Sequence, residues 1–363
     1  MRKSSNKVLC IIGAIVLSLC IVLSGCGSTT TTTTTTTSVT TTTTTPTTRT
    51  VMDQNGNAVV IPYKVTRVAP QIGAMAHMTA LLGDSNEIVC AADSSLNATF
   101  RKIFPGYVQA NPKGLSTSNV EDVIASGAQV FYGPIADAAT IAKYQAAGIA
   151  VIPLNAFSTV DQMKANIRKI AEILGGDAPA KAEVFCTYYD AQIAYCTQNT
   201  SSLPKVKVLS LNSVAGVMST INSTDICSVY MTVAGGVNVA ADVTAVSSVS
   251  AENVIQWNPD VIITNSADSK AAILAQTTLQ SVSAVKNGKI FVVPWGTYLW
   301  SVRSAEGAMM PLWLAKIMHG DALTDLDMNK VVRDYYSKFY GYSISDTEIA
   351  SILAGTPSTT MTK

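Results

Sequence analysis

Short apolar segments alternate with amphipathic segments along the first part of the chain. Buried strands are predicted at Val65–Ala69, Gln129–Tyr132 and Ile149–Leu154, and helical periodicity separates the last two at Ala138–Ala147. Strands that alternate with helices at this spacing indicate βαβ units and a parallel sheet. Further predicted elements are a hairpin turn at Asn55-Gly56, a helix with Met75, Met78, Leu81 and Leu82 on one face that ends at Gly83, a strand at Ile88–Ala91 and a helix at Asn119–Ser126.

A long helical region without strands interrupts this alternation. Helices are predicted at Asp161–Leu174 and Ala178–Thr197, and Pro204 closes the region. The alternation then restarts, with strands at Val206–Leu211, Val261–Thr264 and Ile290–Pro294 and helices at Thr224–Ala234, Glu252–Trp257, Ala308–Met318, Met328–Phe339 and Asp346–Leu353. The predicted fold class is α/β, with two Rossmann-like lobes that have parallel sheets, a long helix that joins them and a ligand cleft between them.

The N-terminus has the pattern of an export signal. Basic residues precede an apolar run from Val8 to Val22, which is too short for a comfortable membrane span. The run ends in Leu23-Ser24-Gly25-Cys26, which resembles the bacterial lipobox and implies lipidation of Cys26; the alternative is an ordinary signal with an incidental cysteine. Residues 28–50 are almost pure threonine and predict an unstructured tether.

These patterns divide the chain into five parts. Residues 1–25 are the predicted signal peptide and residues 26–50 the lipidated cysteine with its tether. The N-terminal lobe is predicted at 51–156, the helical spine at 157–203 and the C-terminal lobe at 204–363. The formal net charge of +1 gives no electrostatic case for nucleic acid.

Little in the chain points to catalysis or to direct metal binding. Cys90, Cys186, Cys196 and Cys227 show no metal-site spacing and are expected to be buried free thiols. The two histidines are expected to be a buried helix residue (His77) and a cation that suits a helix end (His319). Since no nucleophile–base pair, phosphate loop or zinc motif is visible, we expect a protein that is not an enzyme and has no intrinsic cofactor.

An internal repeat relates the two lobes. Residues 119–131 align without gaps with residues 250–262, and each segment predicts a capped helix, a short turn and a strand. Glu121 and Glu252 lie two residues after the caps. An acid at this position stabilises the helix dipole without any partner, and this explanation competes with a pair of exposed acids that meets a two-fold partner.

The order of several segments resembles the substrate-binding proteins of ABC importers for iron–siderophore complexes and cobalamin, the class with a rigid inter-lobe helix. The segments that carry the resemblance are Arg67-Val68-Ala69-Pro70 leading into a helix that ends at Leu82-Gly83, Gly148-Ile149-Ala150-Val151-Ile152, residues 170–175, Gly235-Gly236-Val237-Asn238-Val239, Val249-Ser250-Ala251-Glu252, Asn258-Pro259-Asp260-Val261-Ile262 and Ala284-Val285-Lys286-Asn287-Gly288-Lys289-Ile290. The resemblance implies that Glu121 and Glu252 dock onto arginines of the importer's two membrane subunits. Gly127-Ala128-Gln129 departs from the Pro-Asp turn that is usual in the family and puts the local turn in doubt.

Ligands of open α/β sheets bind at the carboxyl ends of the strands, so the loops that follow the strands are the candidate site. The richest loop holds Trp295, Tyr298, Trp300 and Arg303, and aromatic faces with an arginine fork suit a bulky chelate with anionic groups. The predicted ligand-binding residues are Gln71, Arg101, Tyr132, Met218, Trp295, Tyr298, Trp300 and Arg303. The alternative for half of the aromatic residues is packing in the lobe core, and for Trp300 the two interpretations are evenly matched.

We therefore expect a monomeric, extracytoplasmic, lipid-anchored binding protein. It would capture a metal chelate, an Fe(III)–siderophore or a corrinoid, and deliver it to an ABC permease dimer with its ATPase subunits. Haem or an oxyanion such as molybdate is the alternative ligand. A sensing or adhesive lipoprotein without transport is the alternative from another functional class.

Overall fold

The computed structural model describes residues 46–83, 85–92, 96–155, 157–244 and 247–356. The strands are β1 (Thr48–Met52), β2 (Ala58–Pro62), β3 (Val68–Pro70), β4 (Val130–Gly133), β5 (Ala150–Pro153), β6 (Val206–Val214), β7 (Val217–Thr220), β8 (Gly236–Asn238), β9 (Ser247–Val249), β10 (Val261–Thr264) and β11 (Ile290–Val292). The α-helices are α1 (Gly73–Leu82), α2 (Ala98–Ile103), α3 (Pro105–Ala110), α4 (Val120–Ala125), α5 (Ala138–Ala146), α6 (Val160–Leu174), α7 (Ala178–Thr200), α8 (Ile226–Val233), α9 (Ala251–Trp257), α10 (Ala267–Leu274), α11 (Ser283–Lys286), α12 (Met310–His319), α13 (Met328–Tyr335) and α14 (Asp346–Leu353). Ala305–Met309 forms a 3₁₀ turn and Tyr336–Tyr340 a π-helical turn.

The N-terminal lobe is built on a parallel sheet in the order β3-β4-β5, as predicted. The strand expected at Ile88–Ala91 is absent from this sheet, and this prediction was wrong. Its residues make only isolated bridges, from Ile88 to Val68 and from Ala91 to Ser116. The short helices α2 and α3, which the sequence patterns did not predict, follow this segment.

The C-terminal lobe has a separate sheet in the order β11-β10-β6-β7-β9, with β8 paired to β6. Strands β11, β10, β6 and β8 run parallel, as predicted, but β7 is antiparallel to both β6 and β9. The lobe therefore differs from the expected all-parallel sheet. The difference arises at Ala215-Gly216, where positive φ angles of 49° and 82° turn the chain back on itself between β6 and β7.

The helical spine joins the lobes, as predicted. Helix α6 begins with a capping box at Thr159 and Gln162, and α7 spans 23 residues, which corresponds to about 35 Å of helix. Helix α7 contacts α1 of the first lobe and both α8 and α12 of the second. The Tyr189 and Tyr230 hydroxyls form a buried hydrogen bond of 2.5 Å between α7 and α8. One apolar core thus runs through the spine into both lobes, while their sheets stay separate.

The folded body begins earlier than the predicted boundary at residue 51. Strand β1 starts at Thr48 and pairs antiparallel with β2, which confirms the hairpin around Asn55-Gly56. The Arg49 side chain donates hydrogen bonds to the carbonyls of Tyr63 (3.0 Å), Glu172 (2.8 Å) and Ile173 (2.5 Å). The last threonines of the predicted tether are therefore part of a hairpin that is tied to the end of α6.

Burial corrects two further expectations. Helix α1 is buried on all sides and not on one face, because it packs against β3, the spine helices and the turn at Ala305–Met309. His319, the last residue of α12, is nearly buried, and burial lowers its pKa, so it is not the cation expected at this helix end. The cysteines at 90, 186, 196 and 227 are buried and free, as predicted.

The internal repeat is visible in three dimensions. Strands β4 and β10 occupy the same positions of the alignment, and the residues before them, Gln129 and Asp260, have the same role. The Gln129 carboxamide accepts a hydrogen bond from the Thr66 backbone N–H (2.8 Å), and the Asp260 carboxylate accepts one from the Lys207 backbone N–H (2.9 Å). Gln129 therefore replaces the aspartate at the turn that the sequence had put in doubt.

Candidate functional site

The loops that follow the parallel strands bring the two lobes together, and we call this region the cleft. Its largest element is the segment Trp295–Arg303 after β11, here called the aromatic loop. Asn97 caps α2 and donates from its Nδ2 to the Gly296 carbonyl at 2.8 Å. The Arg303 Nε donates to the Phe157 carbonyl at 2.7 Å, in the segment that leaves the first lobe. The aromatic loop is thus fixed to the N-terminal side of the cleft at both of its ends.

A fully buried carboxylate, Glu306, holds the aromatic loop from below. It accepts hydrogen bonds from the Thr297 backbone N–H (3.1 Å) and hydroxyl (2.8 Å) and from the Trp300 indole N–H (3.0 Å). The hydroxyls of Tyr336 (2.7 Å) and Tyr340 (3.2 Å) donate to the same carboxylate from the π-helical turn. Burial raises the pKa of Glu306, and the hydrogen bonds from Tyr336 and Thr297 oppose that rise.

The network around Glu306 continues into the N-terminal lobe through His77. The His77 Nε2 lies 2.7 Å from the Thr297 hydroxyl and 2.6 Å from the Tyr340 hydroxyl. Its ring also stacks on Tyr298 with 6.0 Å between the centroids. Burial lowers the pKa of His77 to about 3, so the ring is neutral at physiological pH. The network therefore joins α1, the aromatic loop and the C-terminal helices through uncharged hydrogen bonds and one carboxylate.

Three of the predicted ligand-binding residues are core residues in this structure. Trp300 is fully buried. Its burial is possible because the indole N–H, which needs an acceptor inside the protein, donates to Glu306. Tyr132 is fully buried in β4, with its hydroxyl bonded to Thr79. Met218 lies on the inner face of β7 and packs in the core of the C-terminal lobe. The structure does not support their prediction as cleft residues.

The other five predicted residues are only partly buried, as residues of a cleft would be: Gln71, Arg101, Trp295, Tyr298 and Arg303. The Arg101 guanidinium lies 5.4 Å from the centre of the Tyr107 ring. Two polar atoms, the Trp295 Nε1 and the Gln71 Oε1, are buried and have no hydrogen-bond partner within the described parts of the chain. These atoms follow β11 and β3, so each lobe brings one of them to the carboxyl edge of its sheet.

The predicted docking residues Glu121 and Glu252 are exposed, each as the second residue of its helix. The Asn119 side chain caps α4 by accepting from the Glu121 backbone N–H, and Ser250 caps α9 in a capping box with Asn253. A hydrogen bond from Ser250 lowers the pKa of Glu252, which keeps its carboxylate ionised. The positions of both acids agree with the prediction, and their docking role stays a prediction.

The residues of the predicted signal, of Cys26 and of most of the tether lie outside the described residues. Across the ranges that are described, no three or more histidine, cysteine or acidic residues are grouped so that they could hold a metal ion. No helix of those ranges combines the length and the apolar character that a membrane span requires.

Sequence reasoning missed Glu306, Tyr336 and Tyr340, which shape the site without facing a ligand. One signal was available for Glu306. It is a single carboxylate within an otherwise apolar or small run, Ala305-Glu306-Gly307-Ala308-Met309-Met310. A charged residue in such a run is rarely buried without partners. Two of its partners, Tyr336 and Tyr340, lie 30 and 34 positions further on, and the sequence does not reveal them.

Residues 122–295 match the family described as periplasmic binding protein. The molybdate-binding protein MolA of Haemophilus influenzae is 25% identical over 319 residues, which are 80% of this chain and 88% of MolA. Its structure with bound molybdate superposes with a TM-score of 0.66 at 22% identity and covers 82% of this chain and 99% of that one.

Two further solved structures show the same fold. A periplasmic solute binding protein from Veillonella parvula DSM 2008 has a TM-score of 0.69 at 23% identity, with 84% of this chain and 97% of that one covered. Helicobacter pylori CeuE with bound Ni(II) has a TM-score of 0.69 at 18% identity, with 84% and 99% covered. MolA and the Veillonella protein are binding proteins, in agreement with the predicted non-enzymatic role.

Proposed function

Because residues 122–295 match the periplasmic binding protein family, we propose that the chain captures an anionic metal complex in its cleft and delivers this solute to an ABC importer. The observation that carries the choice of ligand is the buried indole N–H of Trp295, which can only donate and has no acceptor among the residues that the structure describes. A buried donor without an acceptor costs about 1–3 kcal/mol. An anionic oxygen atom on the solute would remove that cost.

The surroundings of Trp295 support an anion. Arg303 uses its Nε on the Phe157 carbonyl, which fixes the guanidinium at the lobe junction and leaves its terminal nitrogens as further donors. Gln71 adds a buried carboxamide oxygen from the opposite lobe, an acceptor that has no donor among the described residues. A solute with several outward oxygen atoms, at least one of them protonated, would accept from Trp295 and Arg303 and donate to Gln71.

Two kinds of solute have this chemistry. An iron–siderophore or corrinoid chelate would use the faces of Trp295 and Tyr298, which border the cleft. A metal oxyanion such as molybdate needs donors and little aromatic surface. The burial of Trp300 and Tyr132 removes aromatic area from the cleft, and the similarity to MolA points the same way, so both observations favour the oxyanion.

The test pairs a binding screen with two tryptophan variants. The purified chain is titrated by calorimetry with sodium molybdate, a ferric catecholate siderophore, cobalamin and haem. Trp295→Phe should weaken binding of the active probe roughly tenfold or more, the effect of one lost hydrogen bond to a charged group, without a change in Tm. Trp300→Phe is the matched control, because it loses its bond to Glu306 and should lower Tm. Full affinity in Trp295→Phe would refute this account of the site, and failure of every probe would refute the ligand class.

The docking role of Glu121 and Glu252 belongs to the same proposal. Both carboxylates are exposed at aligned positions of the two lobes, as a partner with two-fold symmetry requires. Glu121→Gln with Glu252→Gln should abolish uptake while ligand affinity stays unchanged. The control neutralises two other exposed first-turn acids, Asp161→Asn with Asp268→Asn. Normal uptake in the first variant would end the docking proposal.

The membrane anchor is a separate part of the proposal. It is supported by the signal pattern that ends in Cys26 and by the threonine-rich segment that follows. Cys26→Ser should release the chain from the cell membrane into the surrounding fluid, as measured by cell fractionation. A chain that is retained equally well without the Cys26 thiol would contradict lipidation at this residue.

A further inference from the structure

Each lobe exposes an isoleucine beside its predicted docking glutamate. Ile124 on α4 is 40% exposed and Ile255 on α9 is 41% exposed. Each lies three residues after the glutamate of its helix, so that the two side chains are neighbours on one helix face. The residues just before them, Val123 and Val254, are fully buried and hold both helices to their lobes by an adjacent face.

The repetition of this pair distinguishes it from ordinary surface apolar residues. A single exposed isoleucine is normal and needs no explanation. Here the gapless alignment keeps glutamate and isoleucine at both exposed positions, while nearby exposed positions differ, as Ala125 and Gln256 do. Two surfaces of the same chemistry, an acid next to an apolar side chain, therefore stand on the two lobes.

The topology places both surfaces near the mouth of the cleft. Helix α4 leads through a short turn into β4, and α9 leads in the same way into β10. A helix connected in this way runs opposite to its strand, so its first turn lies toward the carboxyl edge of the sheet, where the cleft is. A partner that covered the cleft from above would meet both surfaces together.

We propose that Ile124 and Ile255 are apolar anchors, which insert beside Glu121 and Glu252 into one membrane subunit each of the importer. This inference rests on the proposed function. The partner surface it requires is a basic side chain next to an apolar depression, present once on each of the two subunits. Each isoleucine would exclude water from the neighbouring ion pair, as the residues around an interface hot spot do, and would strengthen the pair.

The experiment measures binding of the full chain to its importer in lipid nanodiscs, with the active solute bound. Ile124→Ser with Ile255→Ser should weaken the importer Kd roughly tenfold or more, because truncation of an anchoring side chain commonly costs that much. Ligand Kd and Tm should be unchanged. The matched control is Val184→Ser with Leu274→Ser, two helical side chains that are 51% and 43% exposed. It should bind like the unaltered chain.

The glutamate variant separates failure of this inference from failure of the docking proposal. If Glu121→Gln with Glu252→Gln weakens binding and the isoleucine variant equals its control, the anchors are refuted and the docking proposal stands. If neither variant weakens binding, both are refuted. Salt dependence gives a second measurement: the isoleucine variant should bind more weakly but depend on salt at least as strongly as the unaltered chain, because its ion pair is more open to water, and the glutamate variant should lose the salt dependence. Loss of salt dependence in the isoleucine variant would also refute the anchoring role of Ile124 and Ile255.

Discussion

The helix–turn–strand segments of the two lobes are near copies, whereas the strand-end loops of the cleft differ. In the copies, Gly127 and Asn258 occupy the same aligned position, with φ angles of 65° and 42°. In the cleft, one lobe contributes Gln71 after a short strand, and the other contributes the aromatic loop with its own buried carboxylate. The repeated surface suits a symmetric partner, and the unequal loops suit a small solute that has no such symmetry.

The two regions also differ in how they are held. The copies depend on contacts to neighbouring strand ends, such as those of Gln129 and Asp260. The aromatic loop depends on Glu306, whose partners come from the loop itself and from the π-helical turn. A substitution in one of the copies should therefore lower stability by a small amount that is similar in both lobes. A substitution below the aromatic loop should lower stability by a larger amount and should also weaken ligand binding.

The largest effect is expected for Glu306→Leu. This change leaves the Trp300 indole N–H and the Thr297 and Tyr336 hydroxyls buried without their acceptor. A buried donor left without its acceptor costs about 1–3 kcal/mol and three donors are affected, so the free energy of unfolding in urea should fall by roughly 3 kcal/mol or more. Ligand binding should be lost as well. A stable variant with intact affinity would show that the loop does not depend on this carboxylate.

The second effect is the contribution of His77 to the pH dependence of stability. Burial lowers the pKa of His77 from its ordinary value of 6.5 to about 3 in the folded protein. The unfolded chain thus binds more protons between these values. The stabilisation is complete above pH 6.5 and is lost as pH falls toward 3, by at most roughly 1.4 kcal/mol per pH unit.

Urea unfolding of the unaltered chain and of His77→Gln between pH 4.5 and 7.5 measures this contribution. The pKa of Glu306 is raised, so its own contribution has the opposite sign, and the difference between the two proteins removes it. His77→Gln should show a smaller loss of stability toward acid pH. Equal slopes in the two proteins would mean that His77 does not stay neutral in the fold.

The third prediction compares the two copies directly. Gln129→Ala and Asp260→Ala each remove a side-chain acceptor from a backbone N–H at the start of a strand. Each substitution should lower the free energy of unfolding by about 1–2 kcal/mol. The loss should be larger for Asp260→Ala, because the acceptor that it removes is charged. Gln256→Ala, an exposed position on α9, is the control and should change little. Losses of stability that differ several-fold between the two variants would contradict the equivalence of Gln129 and Asp260.

The smallest effect is expected at the turn of the first copy. Gly127 has a φ of 65°, which costs a residue with a Cβ roughly 1–2 kcal/mol. Gly127→Ala should lower the free energy of unfolding by about that amount. Gly127→Asn introduces the residue that the second copy has at the aligned position. It should lower the free energy of unfolding by less, because asparagine tolerates this conformation. An equal loss in both variants would mean that the two turns are not equivalent.

Local patterns predicted most of the helices and the parallel strands. Thr159 with Gln162 and Ser345 with Glu348 form capping boxes, and the helix at Asp346–Leu353 has the predicted bounds. The prediction failed where local signals were weak: Ile88–Ala91 is apolar but makes only single bridges, and the short strands β7, β8 and β9 were missed. Within the site, the pattern found the aromatic loop but not which of its rings face the cleft.

The sequence by itself determined the lobed α/β architecture, the repeat with its paired glutamates and the location of the cleft loops, because periodicity, caps and turns are encoded by neighbouring residues. The tertiary structure alone decided that Trp300 is fully buried and Trp295 only partly buried. Both are tryptophans of one short loop, and only the position of Glu306, with Tyr336 beyond it, gives one indole N–H a partner and leaves the other without one. Contacts over such sequence distances form only when the whole chain packs.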